Sequence, residues 1–99
     1  MPQVRVVTHY EGGKVTDLVA LAKRAKPIHA KYKGEFRIGR THAGPDPGSY
    51  VVTVAYPDFE AFGRAMMGLA GDAEYQSLLA EVEKVTKLTG RRIIMDLGV

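Results

Sequence analysis

The segment SYVVTVAY, Ser49 to Tyr56, alternates as a β-strand does, yet it is apolar on both faces. Tyr50, Val52, Val54 and Tyr56 point one way, and Val51 and Ala55 with Thr53 point the other. Two further stretches share the property: Ile93, Met95 and Leu97 oppose Ile94 near the end of the chain, and Val4 and Val6 oppose Val7 near its start. A sheet covered on one side alone alternates apolar with polar residues. A sheet built from these segments therefore has to be covered twice.

The other segments say what is available as cover. VRVVTHY, Val4 to Tyr10, reads as a first strand stopped by Gly12-Gly13. From Lys14 the period changes, and Val15, Leu18, Val19, Ala22, Ala25, then Ile28 or His29 and Tyr32 form one helical stripe. Gly34 is placed to end that helix as a left-handed cap, and Pro27 predicts a kink or break near Lys26. EFRIGRTHA, Glu35 to Ala43, and Ser49 to Tyr56 read as two strands joined by AGPDPG, whose paired Gly and Pro residues suit a hairpin loop. Asp58 is placed to cap a helix carrying Phe59, Phe62, Ala65, Met66 and Leu69, which Gly71 stops. Asp72 is placed to cap another, with Tyr75, Leu78, Leu79, Val82, Val85 and Thr86 as its stripe and Gly90 as its end. RRIIMDLGV, Arg91 to Val99, closes the chain as a strand.

The resulting order β-α-β-β-α-α-β is that of an α+β, ferredoxin-like split βαβ unit: one four-stranded antiparallel sheet with helices on one face. Residues 1–99 leave room for a single domain. The helices hide one side of the sheet, and the cheapest cover for the other is a second copy of the chain. The expectation is a homodimer with its two sheets facing each other.

Composition narrows the partners. The net charge is +3, but Lys23, Arg24, Lys26, Lys31 and Lys33 fall on the polar side of one helical segment, as on a solvated helix face, so no nucleic-acid partner is expected. The exposed aromatics of an RNA-recognition sheet are replaced here by valines in the middle strands. No window approaches the roughly 20 apolar residues of a membrane span, and the opening residues lack the apolar core of a signal peptide. With no cysteine, a cytoplasmic location without membrane contact is expected. Motifs for dinucleotide binding, phosphate cradling and the nucleophile elbow are absent from the sequence, which argues against nucleotide hydrolysis and the commonest acyl-transfer machinery. No cofactor is expected.

The run YPDFEAFGRAMMGLAGDAEYQSLLAEV, Tyr56 to Val82, resembles the strand-end, helix, D-x-E-aromatic-x-x-L pattern of the dimeric α+β barrel superfamily, in particular its NIPSNAP-like and antibiotic-biosynthesis-monooxygenase-like members. The turn Tyr10-Glu-Gly-Gly-Lys14 is similar to the Gly-Lys that precedes the first helix in such proteins. The resemblance spans nearly the whole chain in element order, on packing positions that speak for fold more than for chemistry. It implies a homodimeric barrel with a small-molecule cavity, in a superfamily that includes cofactor-free oxygenases, haem enzymes, isomerases and decyclases. Its haem-degrading branch uses an Asn on the first strand, a Trp, and a His in the second helical region. This chain has no Asn and no Trp, and its histidines are His9, His29 and His42.

Candidate site residues depend on which way the sheet faces, because a one-residue shift exchanges the two sets. If Tyr50 to Tyr56 turn Tyr50, Val52, Val54 and Tyr56 toward the helices, the barrel side receives Arg5, Val7, His9, Arg37, Gly39, Thr41, Val51, Thr53 and Ala55, with Ile94 and Asp96 from the last strand. The opposite facing places Tyr50, Tyr56, Arg40 and His42 inside. On the first facing, His9 is the candidate acid or base and Arg37 the candidate holder of an oxyanion. Thr41, Thr53, Gly39, Val7 and Val51 are the candidate substrate contacts. Gly39 is a positional clue, since glycine within a strand is explained by a bulge or a close approach. His29 belongs either to helix packing or to a helix–sheet cleft, and His42 to an exposed hairpin rim. The histidines lie 20 and 13 residues apart, without the close pairing of a metal site, so no metal is expected. Function on this reading is binding of a small apolar or aromatic molecule in the barrel cavity, as a cofactor-free monooxygenase or isomerase. The alternative is a non-catalytic binding or interaction protein with a filled barrel.

Overall fold

A computed structural model describes residues 3–43 and 48–98; the centre of the expected hairpin loop, residues 44–47, lies outside them. The elements run β1 (Val4–Glu11), α1 (Val15–Lys31), β2 (Glu35–Arg40), β3 (Tyr50–Tyr56), α2 (Phe59–Ala70), α3 (Ala73–Val85) and β4 (Lys87–Met95). The strands form one antiparallel sheet in the order β2-β3-β1-β4. This is the ferredoxin-like α+β arrangement.

Register settles the facing. Val4 pairs with Tyr56, Val6 with Val54 and Phe36 with Val54, and all of these side chains are buried under the helices. Val4, Val6, Thr8 and Tyr10 on β1 thus share the covered side with Phe36 and Ile38 and with Tyr50, Val52, Val54 and Tyr56. From the helices, Leu18, Ala25 and Ile28 of α1, Ala61, Ala65 and Leu69 of α2 and Leu78 of α3 complete the core. Roughly 25 cal/mol for each Å² of apolar surface removed from water is what holds these layers together.

Local choices explain how each helix begins and ends. Asp58 caps α2 by accepting from the Ala61 N–H at 2.8 Å, and Asp72 caps α3 by accepting from the Tyr75 N–H at 3.0 Å. α1 is one continuous helix through Pro27, so the expected break near Lys26 does not occur. Ile28, immediately after Pro27, is 1% exposed and packs this turn into the core. The left-handed residue after α1 is Lys33, with φ 62°, and not Gly34. Glycine is needed at 34 for room: a Cβ there would sit 2.8 Å from Val54 Cγ1. Gly68 on α2 has the same role, because a Cβ would run into the Tyr32 ring.

The last strand differs from expectation. α3 stops at Val85 and β4 begins at Lys87, four residues before Arg91, so Gly90 lies inside the strand instead of ending a helix. The Thr86 hydroxyl, 2.8 Å from the Gly12 carbonyl and 3.1 Å from that of Glu11, clips the end of α3 to the end of β1. The chain then enters the sheet at once. The β1–β4 register shifts between His9 and Tyr10, where His9 faces Gly90 and Tyr10 faces Leu88. Among the described residues no helix is long and apolar enough to cross a membrane.

Candidate functional site

Between the covered side of the sheet and the helices lies a cavity of about 240 Å³. Its walls are mainly apolar, with Val6, Val52, Val54 and Phe36 from the sheet and Ala22 and Leu79 from α1 and α3. Ala22 and Ala25 are small where α1 crosses the sheet, which leaves the volume open. Exposed lining residues Glu83, Leu88 and Arg91 mark its mouth, between the end of α3 and the start of β4.

A few polar groups interrupt the apolar wall. His29, from the last turn of α1, is 7% exposed. Its ring stacks on Phe36 at 5.4 Å between centroids and meets Tyr75 edge-on at 5.3 Å. Its Nδ1 has no hydrogen-bond partner among the described residues. Burial, with the Arg91 charge second, pushes its pKa down to about 4, so the imidazole is neutral at pH 7. Tyr10, Tyr56 and Tyr75 line the same space. Burial pushes all three phenols up, Tyr56 to about 12, so each remains a protonated donor. The Arg91 charge pulls all three the other way to a lesser extent, so each of these phenols lies within electrostatic reach of Arg91. The Tyr32 hydroxyl donates to Asp72 at 2.7 Å and that of Tyr50 to the Gly13 carbonyl at 3.4 Å. Those of Tyr10, Tyr56 and Tyr75 make no hydrogen bond to another described residue, and Arg91 makes no ion pair with one. Unpartnered donors around an apolar hollow can orient a bound molecule.

The residues singled out from the sequence lie on the opposite, uncovered face. Val7, Thr53 and Arg37 form one row across β1, β3 and β2, and His9, Val51 and Gly39 form the next. Thr41 follows at the end of β2, where the Ser49 hydroxyl reaches its own at 2.9 Å. The structure thus gathers all seven into one patch, but none of them lines the cavity. His9 and Arg37 stand two strands apart, roughly 10 Å of sheet. Arg37 is paired with Glu35 at 2.9 Å, and His9 borders an open groove with Ser49, Thr89 and Arg92. Pairing is regular at Gly39, and a Cβ there would meet nothing within 4 Å, so within one chain neither a bulge nor a close approach explains it. His42 is exposed beyond the end of β2.

Of the cavity's polar groups, sequence reasoning weighed His29 for a helix–sheet cleft and passed over Tyr10, Tyr75 and Arg91. The available signal was Thr8 and Tyr10, the polar-tipped residues on the otherwise aliphatic side of β1. Arg91 was legible too: it alternates with Ile93 and Met95 and pairs with Thr8, ahead of the register shift, on the side that faces the helices.

Solved structures with this fold include a NIPSNAP family protein of unknown function from Agrobacterium tumefaciens. It is 13% identical with a TM-score of 0.74, over 94% of this chain and 86% of that one. An uncharacterized NIPSNAP domain protein from Burkholderia xenovorans is 18% identical with a TM-score of 0.74, over 100% and 95%. SnoaB, a cofactor-independent oxygenase from Streptomyces nogalater, is 17% identical with a TM-score of 0.69, over 95% and 92%. At these identities the likeness is one of fold, and it confirms the NIPSNAP-like architecture inferred from the Tyr56 to Val82 run. No curated protein matches the chain in sequence. Residues 6–95, from the middle of β1 to the end of β4, match one family model, and the chain accordingly belongs to the family described as Domain of unknown function (DUF6854).

Proposed function

We propose that the chain acts as a homodimer, two copies packed sheet to sheet. Each copy binds a small, largely apolar or aromatic molecule between its own sheet and helices, with cofactor-free oxygenation or isomerisation as the reaction class. The observation that carries this reading is the apolar cavity of about 240 Å³ with unpartnered polar groups on its wall. Such a space, mainly hydrophobic with a few convergent polar atoms, is the usual form of a small-molecule site. The shared fold of SnoaB, a cofactor-independent oxygenase, supports the reaction class. In this proposal His9, Arg37, Gly39, Thr41, Thr53, Val7 and Val51 belong to the surface between the two sheets, and the ligand lies on the other side.

Ala22→Phe tests the cavity directly by placing a ring in it. Naphthalene, titrated calorimetrically, is expected to bind the wild type and not the variant. Equal binding to both would move the site elsewhere. A second reading, a binding module without catalysis, is favoured by His29: an imidazole with a pKa near 4 is a weak base, and no stronger one lines the cavity away from its mouth. Oxygen uptake with each aromatic compound that binds separates the two readings.

A further inference from the structure

The groups along the cavity wall are unequal in charge. Arg91 carries a permanent positive charge and has no ion-pair partner among the described residues, whereas Arg5, Arg24, Arg37 and Arg64 each have one. Tyr10, Tyr56 and Tyr75 line the same cavity, and their hydroxyls lack partners among the described residues. Glu83 is the acidic residue of the lining; it stands exposed on α3 at the mouth, where water solvates it. The wall therefore offers one cation and three neutral phenol donors within a lining that is otherwise mostly apolar.

We propose that the ligand is a small hydrophobic carboxylic acid, bound as its carboxylate, with its charged end at Arg91 and the cavity hydroxyls and its apolar body under the helices. This rests on the reading of the cavity as a ligand site. A guanidinium fork matches the two oxygens of a carboxylate, and tyrosine hydroxyls add neutral donors to the same oxygens. The ionisation state decides between a carboxylate and a phenol. A carboxylic acid arrives charged at pH 7, whereas a phenol, with an ordinary pKa near 10, arrives neutral and needs a base to become an anion. His29 is too weak a base to supply that charge. A neutral phenol would leave the Arg91 charge to water alone, whereas a carboxylate can pair with it.

Three probes with one apolar body separate the possibilities: 2-naphthoate, 2-naphthol and naphthalene, each titrated at pH 7 into the wild type, Arg91→Gln and Tyr75→Phe. Wild-type protein is expected to bind 2-naphthoate about tenfold or more tighter than 2-naphthol, the scale of a hydrogen bond to a charged group. Arg91→Gln should remove most of that advantage and leave naphthalene unchanged, which also shows that the variant is folded. Tyr75→Phe should weaken 2-naphthoate more than naphthalene. If 2-naphthol binds as well as 2-naphthoate, or if Arg91→Gln weakens all three probes alike, the carboxylate assignment is overturned while the cavity remains a ligand site. If none of the three binds the wild type, the cavity reading falls and takes this assignment with it.

Discussion

His29 concentrates the physical tension of the site. It is a polar ring held among Phe36, Tyr75 and aliphatic side chains, with a buried Nδ1 that finds no partner among the described residues. The folded protein keeps this ring neutral down to about pH 4, whereas an unfolded histidine takes up its proton near 6.5. Between those values the unfolded chain binds the extra proton, so stability falls as pH drops from 6.5 to 4, by up to roughly 3 kcal/mol. Denaturant titrations at pH 7 and 4.5 should show this loss in the wild type and much less of it in His29→Leu, since His9 and His42 are common to both. The same loss in both proteins would show that the ring is protonated in the fold. Asp72 separates cleanly from this window. Hydrogen bonds from Tyr32, the Tyr75 N–H and Lys31 hold its carboxyl well below the usual range, so its contribution is present above about pH 4 and lost only in stronger acid. The sequence singled out His29 as a residue with two accounts. What it lacked was the ring's neighbours, because Phe36 and Tyr75 come from a strand and a helix that reach His29 only through the tertiary fold.

At the scale of elements, the helices are specified by short-range chemistry and the last strand is not. Asp58 and Asp72 were legible as caps because capping is a matter of three residues, and both make the expected bonds. Removing the α2 cap in Asp58→Ala should lower stability by about 1 kcal/mol in urea titration, with the fold unchanged. A change within error would mean that α2 is held by the packing of Ala61, Ala65 and Leu69 alone. The first three strands were legible from their alternation, within a few residues at each end. β4 was misjudged at its start, because Lys87-Leu88-Thr89-Gly90 has no strand signature of its own. It is strand because Thr86 fastens the chain to Glu11 and Gly12 and because Tyr10 and Glu11 offer it an edge to pair with. The end of α1 follows the same rule: Gly34 reads as a left-handed cap, yet the close approach of Val54 and Tyr56 is what requires it. The cavity escaped the sequence for a related reason, since it is made by what the α1 alanines fail to fill.

The whole molecule is divided by its sheet. One side closes over the cavity under three helices. The other presents Val7, Val51, Thr53 and Ala55, all half-buried, and Ile94, 45% exposed, with no helix above them. Charged side chains share this face: Arg5, in register between Ala55 and Ile94, pairs with Asp96, Arg92 lies beside Val7, and Glu35 pairs with Arg37 on the β2 edge, so the apolar part is centred on β3 and Val7. That double-sided character was the first thing visible in the sequence, in Ser49 to Tyr56, and it is the reason we propose that a second copy covers the free face. Gly39 fits the assignment: it leaves the β2 side of the face flat where a facing sheet would approach. The measurement that tests this most directly is sedimentation equilibrium at micromolar concentration. The account predicts a single species of twice 10.8 kDa; a stable species of 10.8 kDa would contradict it.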